Sequence, residues 1–173
     1  MRYQIKLVVI AAVIAAAGIA LFTWHRPMRV QPAPDVTFRL TDGRAITLTD
    51  LRGRPVLVTF WASTCRECIR EMPQMVRLYE ELAPKGLEVI GVVIYYDRPD
   101  AALAVAKRQR LPYPVAIDIQ AEVSRAFGNV QMTPTTFLVN PQGSIVRQRT
   151  GTLNFAALRR EITAMLANNV NNS

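Results

Sequence analysis

The chain's only two cysteines, Cys65 and Cys68, stand two residues apart in the run Trp61, Ala62, Ser63, Thr64, Cys65, Arg66, Glu67, Cys68, Ile69, Arg70, Glu71, Met72, Pro73. An apolar, β-branched stretch from Val56 to Phe60 precedes them, so the pair falls where a buried strand gives way to a helix. With Ser63 or Thr64 as helix cap, Cys65 lies in the first turn, where free backbone N–H groups and the positive end of the dipole stabilise a thiolate. Cys68 then sits one turn further in, on the same face. Such a pair can close a small disulfide ring and open it again, the outer sulfur attacking a partner and the inner one resolving the mixed disulfide. Two plainer uses fit less well. Zinc asks for four ligands, and beyond the cysteines the chain offers one distant histidine, His25. A purely structural bridge closing so short a loop removes little unfolded-state entropy.

The elements that must position these sulfurs follow from the pattern around them. Val36 to Leu40 and Ala45 to Leu48 read as short strands about an Asp42-Gly43 turn, and Thr49 to Pro55 as a further turn. Val56 to Trp61 is the central strand, and Pro73 falls inside the helix that follows and is expected to kink it. Leu87 to Tyr95 is near-continuously apolar, as a strand covered on both faces must be. A helix is expected from Asp97 or Asp100 to Arg110, an extended piece over Val115 to Ile117, and a short helix from Ala121 to Phe127 stopped by Gly128. Thr135 to Val139 and Ser144 to Arg149 read as strands about the turn Asn140 to Gly143. A last helix, Phe155 to Ala167, turns Leu158, Ile162, Met165 and Leu166 toward the sheet. The segment 168–173 is too polar to fold alone and is expected to be disordered.

Phe60, Trp61, Ala62, Ser63, Cys65 and Cys68, then Glu71 and Pro73, then Met132, Thr133, Pro134, Thr135, Thr136 and Phe137, together resemble the thioredoxin superfamily, in particular its membrane-anchored TlpA/ResA branch of extracytoplasmic thiol-disulfide reductases. The resemblance covers residues 34–166. It implies an α/β thioredoxin-like fold with an N-terminal β-hairpin extension and a central αβ insertion, preceded by one N-terminal transmembrane helix. The insertion corresponds to Pro99 to Phe127. It also implies that Cys65 and Cys68 are the catalytic pair, that Pro134 is cis and packs against their disulfide, and that Trp61, Thr133 and Thr135 bind substrate, Thr133 through its backbone. Glu71 falls one turn after Cys68 and matches a Glu that such proteins carry. Buried there, its pKa would rise and let it exchange a proton with a thiol, whereas on an exposed helix face it would be an ordinary surface carboxylate. Thr59 stands where a cytoplasmic thioredoxin keeps a buried acid, and it cannot take that proton.

Two departures bear on the direction of electron flow. Glu67 replaces the Pro many relatives have before the second cysteine, and Thr64 replaces an aromatic before the first. Glu67 disfavours a nearby thiolate and Arg66 favours it. A less stabilised thiolate makes the dithiol the better reductant, which favours a reductase. Expected partners are protein disulfide substrates, with apocytochrome c the class such relatives often serve, and an integral-membrane thiol electron donor. No nicotinamide or flavin fingerprint is visible, so no cofactor is expected beyond the Cys65–Cys68 pair, and no metal. A peroxiredoxin-like peroxidase would need Thr at position 62, which is Ala, and a copper module using Cys65, Cys68 and Met72 lacks a nearby His.

Residues 1–26 form a separate segment. Arg2 and Lys6 precede an uncharged apolar run from Leu7 to Phe22 that extends through Trp24. About 18 residues span roughly 27 Å as a helix, close to a hydrocarbon core. A signal peptide cleaved after Ala17 or Ala20 is the competing reading, but the apolar run continues past both sites, which favours an uncleaved anchor with the domain on the periplasmic or extracytoplasmic side. Residues 27–35 are Pro-rich and suit a stiff spacer, leaving 36–167 as the thioredoxin-like domain. Removing Arg2, Lys6 and Arg26 takes the net charge from +8 to +5, and the remaining cations are scattered, so no nucleic-acid partner is expected.

Overall fold

The computed structural model describes residues 31–170. The anchor expected over 1–26 and the end of the tail at 171–173 lie outside the described residues. Among the described residues no helix is long and apolar enough to cross a membrane.

A six-stranded sheet runs in the order β1-β8-β7-β4-β5-β6: β1 is Gln31–Pro32, β4 Val56–Trp61, β5 Glu88–Val93, β6 Val115–Ile117, β7 Thr135–Val139 and β8 Ser144–Thr150. β4, β5 and β6 are parallel, joined by crossovers through α1 (Arg66–Leu82) and α2 (Pro99–Gln109), while β7 and β8 run antiparallel on the other side of β4. This makes β4 central. All six of its residues are buried because both faces are covered. Leu57 packs with Leu78, Leu82, Leu158 and Ile162 under α1 and α4 (Phe155–Val170), and Val58 and Phe60 pack with Phe38, Phe127 and Phe137 on the opposite face.

The hairpin of β2 (Thr37–Arg39) and β3 (Ala45–Thr47) turns at Gly43, whose φ of +87° suits glycine, and the Asp42 carboxylate accepts from the Arg44 N–H at 3.0 Å. A bridge from Leu40 to Ala116 docks it beside β6, and Phe38 is fully buried. The segment after β5 supplies α2, β6 and α3 (Glu122–Ala126), with the buried Asp118 carboxylate accepting from Val123 N–H at 3.0 Å and Ser124 N–H at 2.7 Å to start α3.

Two local expectations change. Gln31 and Pro32, inside the segment read as a spacer, pair with Ile145 and Ser144 as an edge strand, and Ala33 N–H bonds the Gly143 carbonyl at 2.9 Å. Pro can serve there because an edge strand leaves one side unpaired. Asn168 to Val170, expected to be disordered, continue α4, which is joined to the domain when the Asn169 side-chain amide donates to the Gly53 carbonyl. Helix α1 runs through Pro73 to Leu82, with Pro73 inside it as expected.

Gly91 faces Thr59 across β4 and β5. A Cβ there would lie 3.2 Å from Trp61 Nε1 and 3.2 Å from Tyr113 Cε2, tighter than ordinary van der Waals contact, and both side chains are buried. Gly91→Ala is expected to cost about 1–3 kcal/mol by overpacking, read as a lower urea midpoint at unchanged m-value. An unchanged midpoint would show that the indole moves freely.

Candidate active site

β4 ends at Trp61, Ile94 N–H bonds the Trp61 carbonyl at 3.0 Å, and the chain turns at Ala62 through Cys65 into α1. Cys65 itself caps the helix. Its backbone is extended (φ −80°, ψ 100°) and its sulfur accepts the Cys68 N–H at 3.1 Å. The expected caps, Ser63 and Thr64, do not serve, because the Ser63 amide and hydroxyl both donate to the Asp97 carboxylate, at 2.5 and 2.7 Å. The result places sulfur, rather than a hydroxyl, on the free N–H groups of the helix start, where negative charge is best stabilised.

Cys65 and Cys68 are disulfide-bonded, with Cα atoms 5.3 Å apart. Their exposure differs: Cys65 is half-buried, whereas Cys68 lies under the helix at 4 %. A partner sulfur can therefore reach Cys65 and not Cys68. Glu67 forms an ion pair with exposed Arg70, a neighbour beyond the Arg66 weighed from sequence, so its influence on the sulfurs is further diluted.

Behind the disulfide is a narrow cavity of about 20 Å³, lined by Thr59, Trp61, Cys68, Glu71, Met72, Met75, Tyr113 and Pro134. Glu71 is buried, and its Oε1 accepts the Leu153 N–H at 2.7 Å. Burial pushes its pKa up as the leading effect, the Leu153 N–H opposes this, and nearby Glu67 raises and Arg70 lowers it in smaller measure. The surface-carboxylate alternative does not describe this side chain. Thr59 spends its hydroxyl on Thr136 at 3.0 Å.

The Thr133-Pro134 peptide is cis, and Pro134 shares the cavity wall with Cys68. Thr133 is half-buried and its backbone makes no hydrogen bond among the described residues, so it is open to an extended segment. Two residues expected to bind substrate are placed otherwise. Trp61 is 3 % exposed and forms the cavity wall, its indole N–H without an acceptor among the described residues. Thr135 is buried within β7 and its hydroxyl donates to the Met132 carbonyl at 2.7 Å, so it shapes the loop before Pro134 from inside. Asp97 and the Leu153 amide were not expected at the site. Among the described residues no group of three or more His, Cys, Asp or Glu is placed to hold a metal ion.

The profile of the AhpC/TSA family matches residues 30–148. The chain belongs to this family. Within it, the chain is similar to the thiol-disulfide oxidoreductase ResA of Geobacillus kaustophilus, 35 % identical over 169 residues that cover 95 % of this chain and 94 % of the relative. ResA of Geobacillus thermodenitrificans is 31 % identical, covering 95 % and 96 %. Among solved structures, a thiol:disulfide interchange protein of the thioredoxin family from Chlorobium tepidum superposes with a TM-score of 0.73 at 26 % identity, over 82 % of this chain and 99 % of that one. The family member described here is a thiol-disulfide oxidoreductase with a thioredoxin-like fold, and Cys65 and Cys68 are the cysteines it has for that chemistry.

A carboxyl whose pKa is raised on folding stabilises the fold when protonated, so that stability is complete below the unfolded value near 4.5 and is lost as pH rises through the higher folded value. Glu71→Gln, which stays neutral and still accepts from Leu153, removes this loss. The stability of the wild type is expected to fall relative to the Gln variant as pH is raised from about 4 to about 8, measured by urea unfolding of both oxidised proteins. Parallel curves would mean that Glu71 is solvated as on a surface.

Proposed function

We propose that this chain is a membrane-anchored reductase of disulfides in exported proteins, with apocytochrome c as one substrate. The observation that carries the reading is the asymmetry of the pair: a half-buried sulfur on a helix start, and a buried sulfur sharing a cavity with a buried carboxyl. The anchor rests on the apolar run Leu7 to Trp24, and it would hold the domain next to an integral-membrane thiol donor.

In the reduced protein the Cys65 thiolate attacks one sulfur of the substrate disulfide. A Cys65–substrate bond forms, the substrate bond breaks, and the other substrate sulfur leaves as a thiolate that takes a proton from water. Cys68 gives its proton to the Glu71 carboxylate and attacks the Cys65 sulfur, which releases the second substrate thiolate and leaves the Cys65–Cys68 disulfide. Glu71 then returns the proton to bulk water or to the leaving sulfur. Two electrons pass to the substrate, and the membrane donor restores them by the reverse exchange. Pro134 supplies no N–H near the sulfurs and leaves the Thr133 backbone to align the substrate strand. A peroxidase of peroxiredoxin type finds little support, because buried Ala62 offers no hydroxyl to a peroxide at Cys65.

Cys65→Ser is expected to abolish turnover in an insulin-disulfide reduction assay, while Cys68→Ser retains attack and accumulates the mixed disulfide, visible as a mass adduct on Cys65. Undiminished turnover by Cys65→Ser would overturn the mechanism. For the direction of flow, the pair equilibrated against thiol buffers is expected to have a potential at or below about −230 mV, and a value near about −120 mV would make it an oxidant instead.

A further inference from the structure

The chain leaving β5 makes a tight turn in which Asp97 N–H bonds the Ile94 carbonyl at 3.0 Å, and Tyr95 and Tyr96 occupy its two middle positions. Their rings meet edge to face, 5.2 Å between centroids, yet Tyr95 is 39 % and Tyr96 50 % exposed and neither joins any of the three buried clusters. A single exposed tyrosine needs no explanation. Here two stand together on a turn fastened to the catalytic loop, since the next residue, Asp97, holds both the amide and the hydroxyl of Ser63, two residues before Cys65.

The opposite flank of Cys65 carries Met132, 63 % exposed, then Thr133, whose backbone makes no hydrogen bond among the described residues, and Pro134, whose carbonyl accepts the Gly151 N–H at 2.8 Å. Tyr95, Tyr96 and Met132 are three of the six large apolar side chains exposed among the described residues; Leu103, Ile119 and Val146 lie on α2, beyond β6 and on β8. β7, β4 and β5 are consecutive in the sheet, so the two flanks stand roughly 10 Å apart, the width an extended chain with its side chains occupies.

We propose that Tyr95 and Tyr96 form an aromatic shelf that receives the polypeptide next to the substrate's disulfide, an extended segment with an aromatic or large apolar residue beside its cysteine. This rests on the reductase reading and names its substrate class. Tyrosine suits the task because it gives a large contact area while losing few rotamers, and its hydroxyl stays in water when the shelf is empty. Because Asp97 is bonded to Ser63, the shelf holds its place relative to the sulfur.

The test uses the full chain purified in detergent, with Tyr95→Ala/Tyr96→Ala as the variant and Tyr95→Phe/Tyr96→Phe as the conservative control, both checked for folding by circular dichroism. Three disulfides are reduced: hydroxyethyl disulfide, a peptide disulfide flanked by phenylalanine, and the same peptide flanked by glycine. The Ala variant is expected to lower kcat/KM for the Phe-flanked peptide about tenfold relative to hydroxyethyl disulfide, mainly through KM, with the Phe variant close to wild type. An equal fall for all three substrates would overturn the proposal by showing that the turn only supports the Cys65 loop, and so would an unchanged ratio. Binding of the Phe-flanked peptide, its cysteines replaced by serine, to the oxidised chain is expected to weaken about tenfold in the Ala variant and reads the shelf without electron transfer. Unchanged affinity there overturns the shelf, whereas undiminished turnover by Cys65→Ser overturns the reductase, so the two failures are distinct.

Discussion

The bond from the Cys68 N–H to the Cys65 sulfur is the contact on which the site depends. A helix start leaves several N–H groups unpaired, and soluble proteins commonly satisfy them with a hydroxyl or a carboxylate. Placing sulfur there makes the cap itself the reactive group, so the dipole and the N–H favour the thiolate whenever the disulfide opens. It also demands that the strand before it be held firmly, because the turn that carries the sulfur leaves directly from β4. The sheet meets this demand by burying β4 on both faces and pairing it along both edges, with β5 and with β7.

The same strand fixes the inner half of the site. Phe60 pairs with Thr135 at the register that brings Pro134 over Cys68, and Thr59 spends its hydroxyl on Thr136, which leaves Glu71 as the buried acid at the cavity. Two forces act on that carboxyl in opposite directions. Loss of water favours the neutral acid, and the Leu153 N–H favours the anion; the first is the larger. With its pKa raised, this carboxylate is a stronger base than a solvated one, which is what a proton acceptor beside a resolving thiol requires.

Much of this could be read along the chain, and the misses share a cause. The apolar run into Cys65, the Asp42-Gly43 hairpin and the alternation of strands with helices are local patterns, and they placed the strand-helix junction and the hairpin near their observed limits. What escaped depends on partners far away in sequence. Ser63 looked like a cap until Asp97, 34 residues on, took its hydroxyl. The donor to Glu71 comes from a backbone amide 82 residues away, and a backbone N–H leaves no mark on the residue type that carries it. Trp61 and Thr135 were assigned to the groove by resemblance, but a strand covered on both faces cannot present side chains to a substrate, so they act from beneath. Asn168 to Val170 looked too polar to fold, and one side-chain amide reaching Gly53 belongs to the helix that includes them.

Several local rules are broken around the disulfide. The carboxyl of Glu71 is buried against its preference, the Trp61 indole N–H has no acceptor among the described residues, and two tyrosines stand in solvent beside Cys65. Each feature works against stability, since a buried unpaired donor costs about 1–3 kcal/mol and exposed aromatic surface gains nothing from the core. They converge on one end of three adjacent strands, β7, β4 and β5, while the apolar clusters beneath follow ordinary packing. Their convergence on the reactive sulfur is what a site shaped for chemistry, and supported by a core that can bear the loss, looks like in physical terms.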